Sequence, residues 1–196
     1  MNLGDAQGAL LARGFDYLAE DRLTLMLNTA KDEFEDAYEW PWLWTPLAGT
    51  TPLPIPDLKV VLTVASGGYD LFGLDVRQLT QDELAQGGSP SHWWLEGASI
   101  LHVWPGDGAT VSGAYLADSP PLAAADDEPL IPARYHPLWI DYAVCEAYKD
   151  SDNFTAAQAL RADIAMRMID VIARYEVRNR QHSLPMTIRA PYSEDE

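Results

Sequence analysis

Apolar positions recur at helical spacing towards both ends of the chain and at shorter spacing in the middle. Leu23, Met26, Leu27, Ala30, Phe34, Ala37 and Tyr38 fall at i, i+3, i+4, i+7, i+11, i+14 and i+15. That is one face of an α-helix. Lys31, Asp32, Glu35, Asp36 and Glu39 fall largely outside the stripe, so they are predicted on its solvent side. Pro41 should end this helix, because the residue before a proline disfavours the α region. A shorter helix is expected over residues 5–13, stopped by Gly14. Towards the other end, Ile140, Ala143, Val144, Ala147 and Ser151 repeat at helical spacing, and Pro137 suits the first helical position. Residues 150–153 offer capping side chains. A last helix then shows Ala157, Leu160, Ile164, Met168, Val171, Ile172 and Tyr175 on one face. After Arg178 the pattern dissolves.

The middle of the chain changes period. Residues 47–56, with Pro46 just before them and Pro52, Pro54 and Pro56 within, are too rich in proline for a helix or a central strand. Short β-like runs follow at 58–65, 69–72, 76–79, 92–95, 100–104 and 110–116. Gly67-Gly68, Gly87-Gly88 and Pro105-Gly106-Asp107-Gly108 punctuate them. Thr80-Gln81-Asp82-Glu83 matches a capping box for one helical turn.

This order predicts an α+β protein. The N- and C-terminal helices, residues 1–45 and 134–178, form a small helical bundle, since isolated helices this short need tertiary packing. Residues 46–117 form an inserted antiparallel β-sheet or sandwich. Residues 118–133 are a long loop of the kind that is functional or crosses the domain. Residues 179–196 are an extended C-terminal tail that orders on a partner.

Composition narrows the function. A chain of 196 residues, 47% hydrophobic, affords one compact domain with a core. Its net charge of −17 argues against gripping a phosphate backbone, which needs clustered cations. It fits a protein that lets DNA pass without sticking. Charge is also uneven. Arg161, Arg167, Arg174, Arg178, Arg180 and Arg189 gather near the C-terminus, so a basic end meets an acidic neighbour. The single cysteine, Cys145, excludes an intrachain disulfide and reads as a small buried hydrophobe. No run is long enough for a membrane span, and the first residues lack a secretion signal, so synthesis in a cytoplasm is expected.

Catalytic patterns are missing. His92, His102, His136 and His182 show no metal-ligand spacing. There is no nucleophile elbow and no Gly-rich phosphate loop. Glu33 with Glu96 or Asp107 would serve as an acid–base pair only if folding brought them together. No enzyme activity, metal or cofactor is expected. Aromatic residues are plentiful, with seven tryptophans and nine tyrosines. Trp40 and Trp42 lie where the long helix turns towards the β region, and Trp93, Trp94 and Trp104 lie inside it. They serve as hinge core or as interface anchors. Strand alternation should send one of Trp93 and Trp94 inward and the other outward. An alternative use of the aromatic β region is stacking on sugars, as in a carbohydrate-binding or surface-recognition module.

Several segments resemble a known family. Leu27-Asn28-Thr29-Ala30-Lys31-Asp32-Glu33-Phe34, followed by Trp40-Pro41-Trp42-Leu43, resembles the opening helix and helix end of phage head-to-tail adaptor proteins. Trp94-Leu95-Glu96-Gly97 and Leu101-His102-Val103-Trp104-Pro105 are similar to their β insert. Tyr135-His136-Pro137-Leu138-Trp139-Ile140-Asp141-Tyr142-Ala143, then Ala147-Tyr148-Lys149-Asp150 and Asp152-Asn153-Phe154, resemble their returning helices. The resemblance covers roughly residues 20–175. It implies a structural virion protein, a dodecameric homo-oligomeric ring beneath the portal that closes the filled head and docks tail or neck proteins. Genome DNA would pass through its lumen without specific binding. It carries over no catalytic residues. In relatives the C-terminal segment reaches the portal, a role that Arg174, Arg178, Arg180 and Arg189 match in position.

Overall fold

The computed structural model describes residues 1–75, 88–106 and 108–182, with side chains through residue 176. The expected strand at 76–79, the capping box at 80–83, and residues Asp107 and Arg189 lie outside these.

Helix α1 (Leu3–Leu11) starts two residues earlier than expected, because Asn2 supplies the cap. The Asn2 side chain accepts from the Asp5 amide at 2.8 Å, and the Asp5 carboxylate accepts from the Asn2 amide at 3.3 Å. Gly14, at φ +92°, turns the chain after it. Helix α2 (Glu20–Asp36) ends before Pro41 is reached. The Trp40 indole donates to the Phe34 carbonyl at 2.9 Å, satisfying a last-turn acceptor that would otherwise need another turn. Pro41 instead opens a short 3-10 turn, Pro41–Leu43.

After the β region a 3-10 turn (Ala133–Tyr135) leads into α3 (His136–Asp150), where Pro137 takes the second position rather than the first. Asp152, at φ +57°, makes the turn into α4 (Phe154–His182), and Asn153 caps it by accepting from the Ala156 amide. The pairs Cys145–Ala157 and Asp141–Arg167 run in opposite directions along α3 and α4, so the two form an antiparallel hairpin. Helix α3 is the centre of the bundle and packs against α1, α2 and α4. The expected extended tail from residue 179 is corrected in part. Helix α4 continues through His182, since residues 179–182 contain neither proline nor glycine and lose only their apolar periodicity.

The inserted unit has two four-stranded sheets over a shared core that includes Leu47, Val64, Leu101, Val103 and Val111. The strands are β1 (Trp44–Thr50), β2 (Leu53–Pro54), β3 (Leu58–Ser66), β4 (Tyr69–Asp70), β5 (Phe72–Gly73), β6 (His92–Glu96), β7 (Ile100–Trp104) and β8 (Thr110–Ala117). Their orders are β1-β8-β3-β4 and β2-β7-β6-β5. Strand β1 begins at Trp44, inside the segment assigned to the bundle, and its Pro46 is tolerated because β1 is an edge strand, paired among the described residues with β8 alone. The single strand expected at 69–72 is two short ones. Leu71, buried between them, hands the chain from the first sheet to the second. Strand β5 runs parallel to β6, an exception to an otherwise antiparallel pattern. At Gly113 a Cβ would stand 2.0 Å from the Thr63 carbonyl oxygen, so the approach of β3 to β8 requires glycine there.

The return segment between β8 and the 3-10 turn is pinned along its length. The Asn28 side chain accepts from the Leu122 amide at 2.8 Å and donates to the Leu122 carbonyl at 2.9 Å. The Leu3 and Gly4 amides donate to the Asp127 and Ala125 carbonyls at 2.8 Å each. Leu122 and Ile131 are buried in the bundle core. The segment is therefore a strap across α1 and α2. Asn28→Ala is expected to lower unfolding free energy by about 1–3 kcal/mol. Limited proteolysis should then cut within residues 118–132 before the bundle unfolds; cleavage elsewhere first would show that the pin is dispensable.

Candidate functional site

Two structures flank the junction between bundle and insert, and both are rooted in the last turns of α2. The first is aromatic. Phe34 stacks on Trp40 at 5.2 Å, and Trp40 stacks on Trp42 at 4.6 Å and 15°. Tyr175 of α4 meets both indoles edge-on at 5.5 and 5.8 Å. Arg134 lies over the rings of Tyr135 and Tyr175, at 4.7 and 5.4 Å, and donates to the Tyr175 hydroxyl at 2.6 Å. Trp40 is fully buried, while Trp42 is half-buried with a buried Nε1 that has no hydrogen-bond partner among the described residues. The stack joins the end of α2, the turn before β1, the entry to α3 and the later part of α4, so it is a hinge core.

The second structure is polar, and the pattern of the sequence misplaces it. Lys31 and Glu35 are 1% and 3% exposed, not on the solvent face. Ser119 of the strap lies between them. Its hydroxyl accepts from Lys31 Nζ at 2.6 Å and donates to Glu35 Oε2 at 2.5 Å. Lys31 also pairs with Asp32 at 2.8 Å, and with Glu35 at 3.7 Å. Glu35 Oε1 has no hydrogen-bond partner among the described residues. Burial holds the Glu35 carboxyl above its ordinary value; the Ser119 hydrogen bond and then Lys31 pull it down, but by less. A cleft of about 340 Å3 beside this triad is bordered by Asp36, Lys59 and Asp118. The signal that would have revealed the pair is spacing. Lys31 and Glu35 continue Leu23 and Leu27 at intervals of four, on the inner edge of the stripe.

The other expected site residues separate. Trp93 packs into the β core. Trp94 points to the opposite face and stacks on His102 at 4.2 Å and 12°, and His102 Nε2 lies 3.0 Å from Glu96. Trp104 meets His92 edge-on at 5.8 Å. The carboxylates considered as an acid–base pair have separate partners, since Glu33 pairs with Arg161 and Glu96 with His102. Burial raises the Cys145 thiol and Arg161 lowers it by less, consistent with an inert buried cysteine. Arg174 is exposed on α4, and the backbone of Arg178 and Arg180 continues the same helix. Among the described residues no helix is long and apolar enough to cross a membrane, and no acidic or His/Cys cluster is arranged to hold a metal.

A helical body, a two-sheet insert and a returning helical hairpin are joined by aromatic and polar locks at the junction. Comparison with protein families matches the model described as SU10 adaptor protein over residues 1–189. The chain belongs to the SU10 adaptor protein family. This is a phage head-to-tail adaptor family, so the chain is a structural adaptor of the virion that works with head and tail proteins. No curated protein matches it. In this SU10 adaptor the resembling motifs fall on the elements just described. The 27–34 segment forms the second half of α2, and 40–43 forms the tryptophan hinge.

The polar lock yields a pH-dependent expectation. The native state binds the Glu35 proton more readily than the unfolded chain does. Its contribution to stability is therefore fully present below the ordinary value near 4.5 and is lost as pH rises through the higher folded value. Lys31→Met removes one of the pulls opposing that shift and leaves a buried carboxylate without its cation. The variant should lose about 3–5 kcal/mol at neutral pH, and the deficit should shrink as pH falls towards 4.5. Urea unfolding at several pH values measures this, and a deficit independent of pH would refute the assignment.

Proposed function

We propose that this SU10 adaptor closes into a dodecameric ring of identical copies beneath the portal, seals the filled head there and presents the docking surface for tail or neck proteins. The family match over residues 1–189 carries the reading. The order of the chain supports it, with helices from both ends forming one body and a β insert between them. The genome would pass through the lumen. A chain of net charge −17 offers passing DNA few cations, so little counterion release would hold it in place. Assembly would take place on particles built in the host cytoplasm.

Arg174, Arg178, Arg180 and Arg189 are the proposed portal contacts. Arg174 adjoins the hinge residue Tyr175, and Arg178, Arg180 and Arg189 come after it in the sequence, in the most basic part of an acidic chain. Trp40 and Trp42 act as hinge core. Trp93, Trp94 and Trp104 shape the β insert that faces the tail.

Native mass spectrometry of the chain mixed with the portal of the same phage tests the ring. A complex carrying many adaptor copies per portal is expected, and a chain that stays single at every ratio would overturn the reading. Deletion of residues 179–196 should weaken portal binding about tenfold, equivalent to about 1.4 kcal/mol, while the melting temperature stays within a few degrees. Unchanged affinity would remove this segment from the interface.

A further inference from the structure

Beside the polar lock lies a cleft whose charges do not balance. Its lining holds four carboxylates, Asp32, Glu35, Asp36 and Asp118, against two ammonium groups, Lys31 and Lys59. Both lysines are already engaged. Lys31 pairs with Asp32 at 2.8 Å and lies 3.7 Å from Glu35, and Lys59 pairs with Asp36. Asp118 is exposed and makes no ion pair among the described residues. One carboxylate is thus left over at the rim, and Glu35 shares a cation that Asp32 holds more closely.

The buried end of the cleft supplies a second observation. Glu35 is 3% exposed. Its Oε2 accepts from Ser119 at 2.5 Å, while Oε1 has no hydrogen-bond partner among the described residues. A buried carboxylate oxygen ordinarily accepts at least one hydrogen bond. Burial holds this carboxyl above its ordinary value, and a further cation beside it would favour the ionised form. At about 340 Å3 the cleft falls at the lower end of the range for ligand pockets. Among the described residues no group of His, Cys, Asp or Glu is arranged to hold a metal ion, so the site suits a cation that donates hydrogen bonds. An anion would be repelled, and an apolar guest would strip water from the charges without replacing it.

We propose that this cleft receives a guanidinium or primary ammonium group, which pairs with Asp118 at the rim and serves Glu35 behind it. A guanidinium fits best. Its donors form a planar fork that can reach two carboxylates at once, and it is always charged. A side chain of a neighbouring virion protein is the source that the position favours. Ser119 begins the strap, so a guest held here would tighten the returning chain as the neighbour docks. That source rests on the assembly proposed above; the cation site itself does not.

Carboxyl-carbon NMR of the isotope-labelled full chain tests the site. The chain is titrated with N-acetyl-arginine amide and, at equal ionic strength, with the uncharged N-acetyl-citrulline amide. The Glu35 and Asp118 signals should follow a saturating curve with the first compound alone, and Glu35 should titrate at lower pH once it is bound. Asp118→Asn should weaken that affinity about threefold. Glu35→Gln should weaken it as well, and circular dichroism melting checks that both variants fold. Shifts that grow linearly, that are equal for the two compounds, or that survive Asp118→Asn unchanged would overturn the site. The portal of the same phage then identifies the source. If Asp118→Asn also binds the portal about threefold more weakly than wild type does, the guest is a portal side chain. Probe binding with unchanged portal affinity supports the site and assigns the guest to another source of the same chemistry. Wild type that binds the probe but never joins the portal would overturn the ring and leave the site standing.

Discussion

Helix α3 is apolar on almost every side, and such a helix persists only when wrapped. Leu138, Trp139, Ile140, Ala143, Val144, Cys145 and Ala147 are all buried. Trp139 is buried completely, and its indole finds an acceptor in the Leu27 carbonyl of α2 at 2.9 Å. The wrapping is supplied by α1 and α2 from before the β insert and by α4 from after it. The core can therefore close only if the chain leaves the bundle, builds the insert and comes back. This ties the β unit to the body at two points, Leu43–Trp44 on the way out and the strap on the way back.

Both attachment points are locked by the final turns of α2. The outgoing chain is held by Phe34, Trp40 and Trp42, and the returning chain by Lys31, Glu35 and Ser119. The locks differ in kind. The aromatic one gains from area and stacking, and Trp40 satisfies its single polar atom locally. The polar one takes two charges out of water, and an apolar pair would fill the space at lower desolvation cost. An apolar pair would offer Ser119 nothing to bind, however, and Ser119 is what fixes the start of the strap. An adaptor that transmits position between two neighbours needs its insert fixed in orientation as well as attached.

Much of this was legible from periodicity. The stripes of α2 and α4 are where the spacing places them, and the alternation of Trp93 and Trp94 sends one to the core and the other to the opposite face, against His102. The family was legible too, from short motifs at 27–34, in the second half of α2, and at 40–43, on the structural hinge. The failures have physical causes. Spacing puts Lys31 and Glu35 on the inner edge of the stripe, but a two-letter pattern of apolar and polar residues cannot show that they close on a serine 88 and 84 residues away. The Asn28 pin spans 94 residues, and no local rule reaches so far. Pro46 hid β1 because proline excludes a central strand but leaves an edge strand open. The end of α4 was placed too early because loss of an apolar stripe marks the end of packing, not the end of a helix.

That last difference alters how the C-terminal arginines act. At 1.5 Å per residue the 29 residues of α4 run about 44 Å, against about 22 Å for the 15 residues of α3. Helix α4 therefore overhangs its partner, and the overhang is gripped at its root by Tyr175 beneath Trp40 and Trp42. Arg178 and Arg180 lie three and five residues beyond that grip, on a continuous helix rather than on loose chain. A segment that is already helical has less conformational entropy left to lose when it meets a partner. The direction in which it points is set by the hinge. The aromatic stack that clamps the insert thus also aims the basic end of the molecule, and a change at Trp40 or Trp42 acts on both at once.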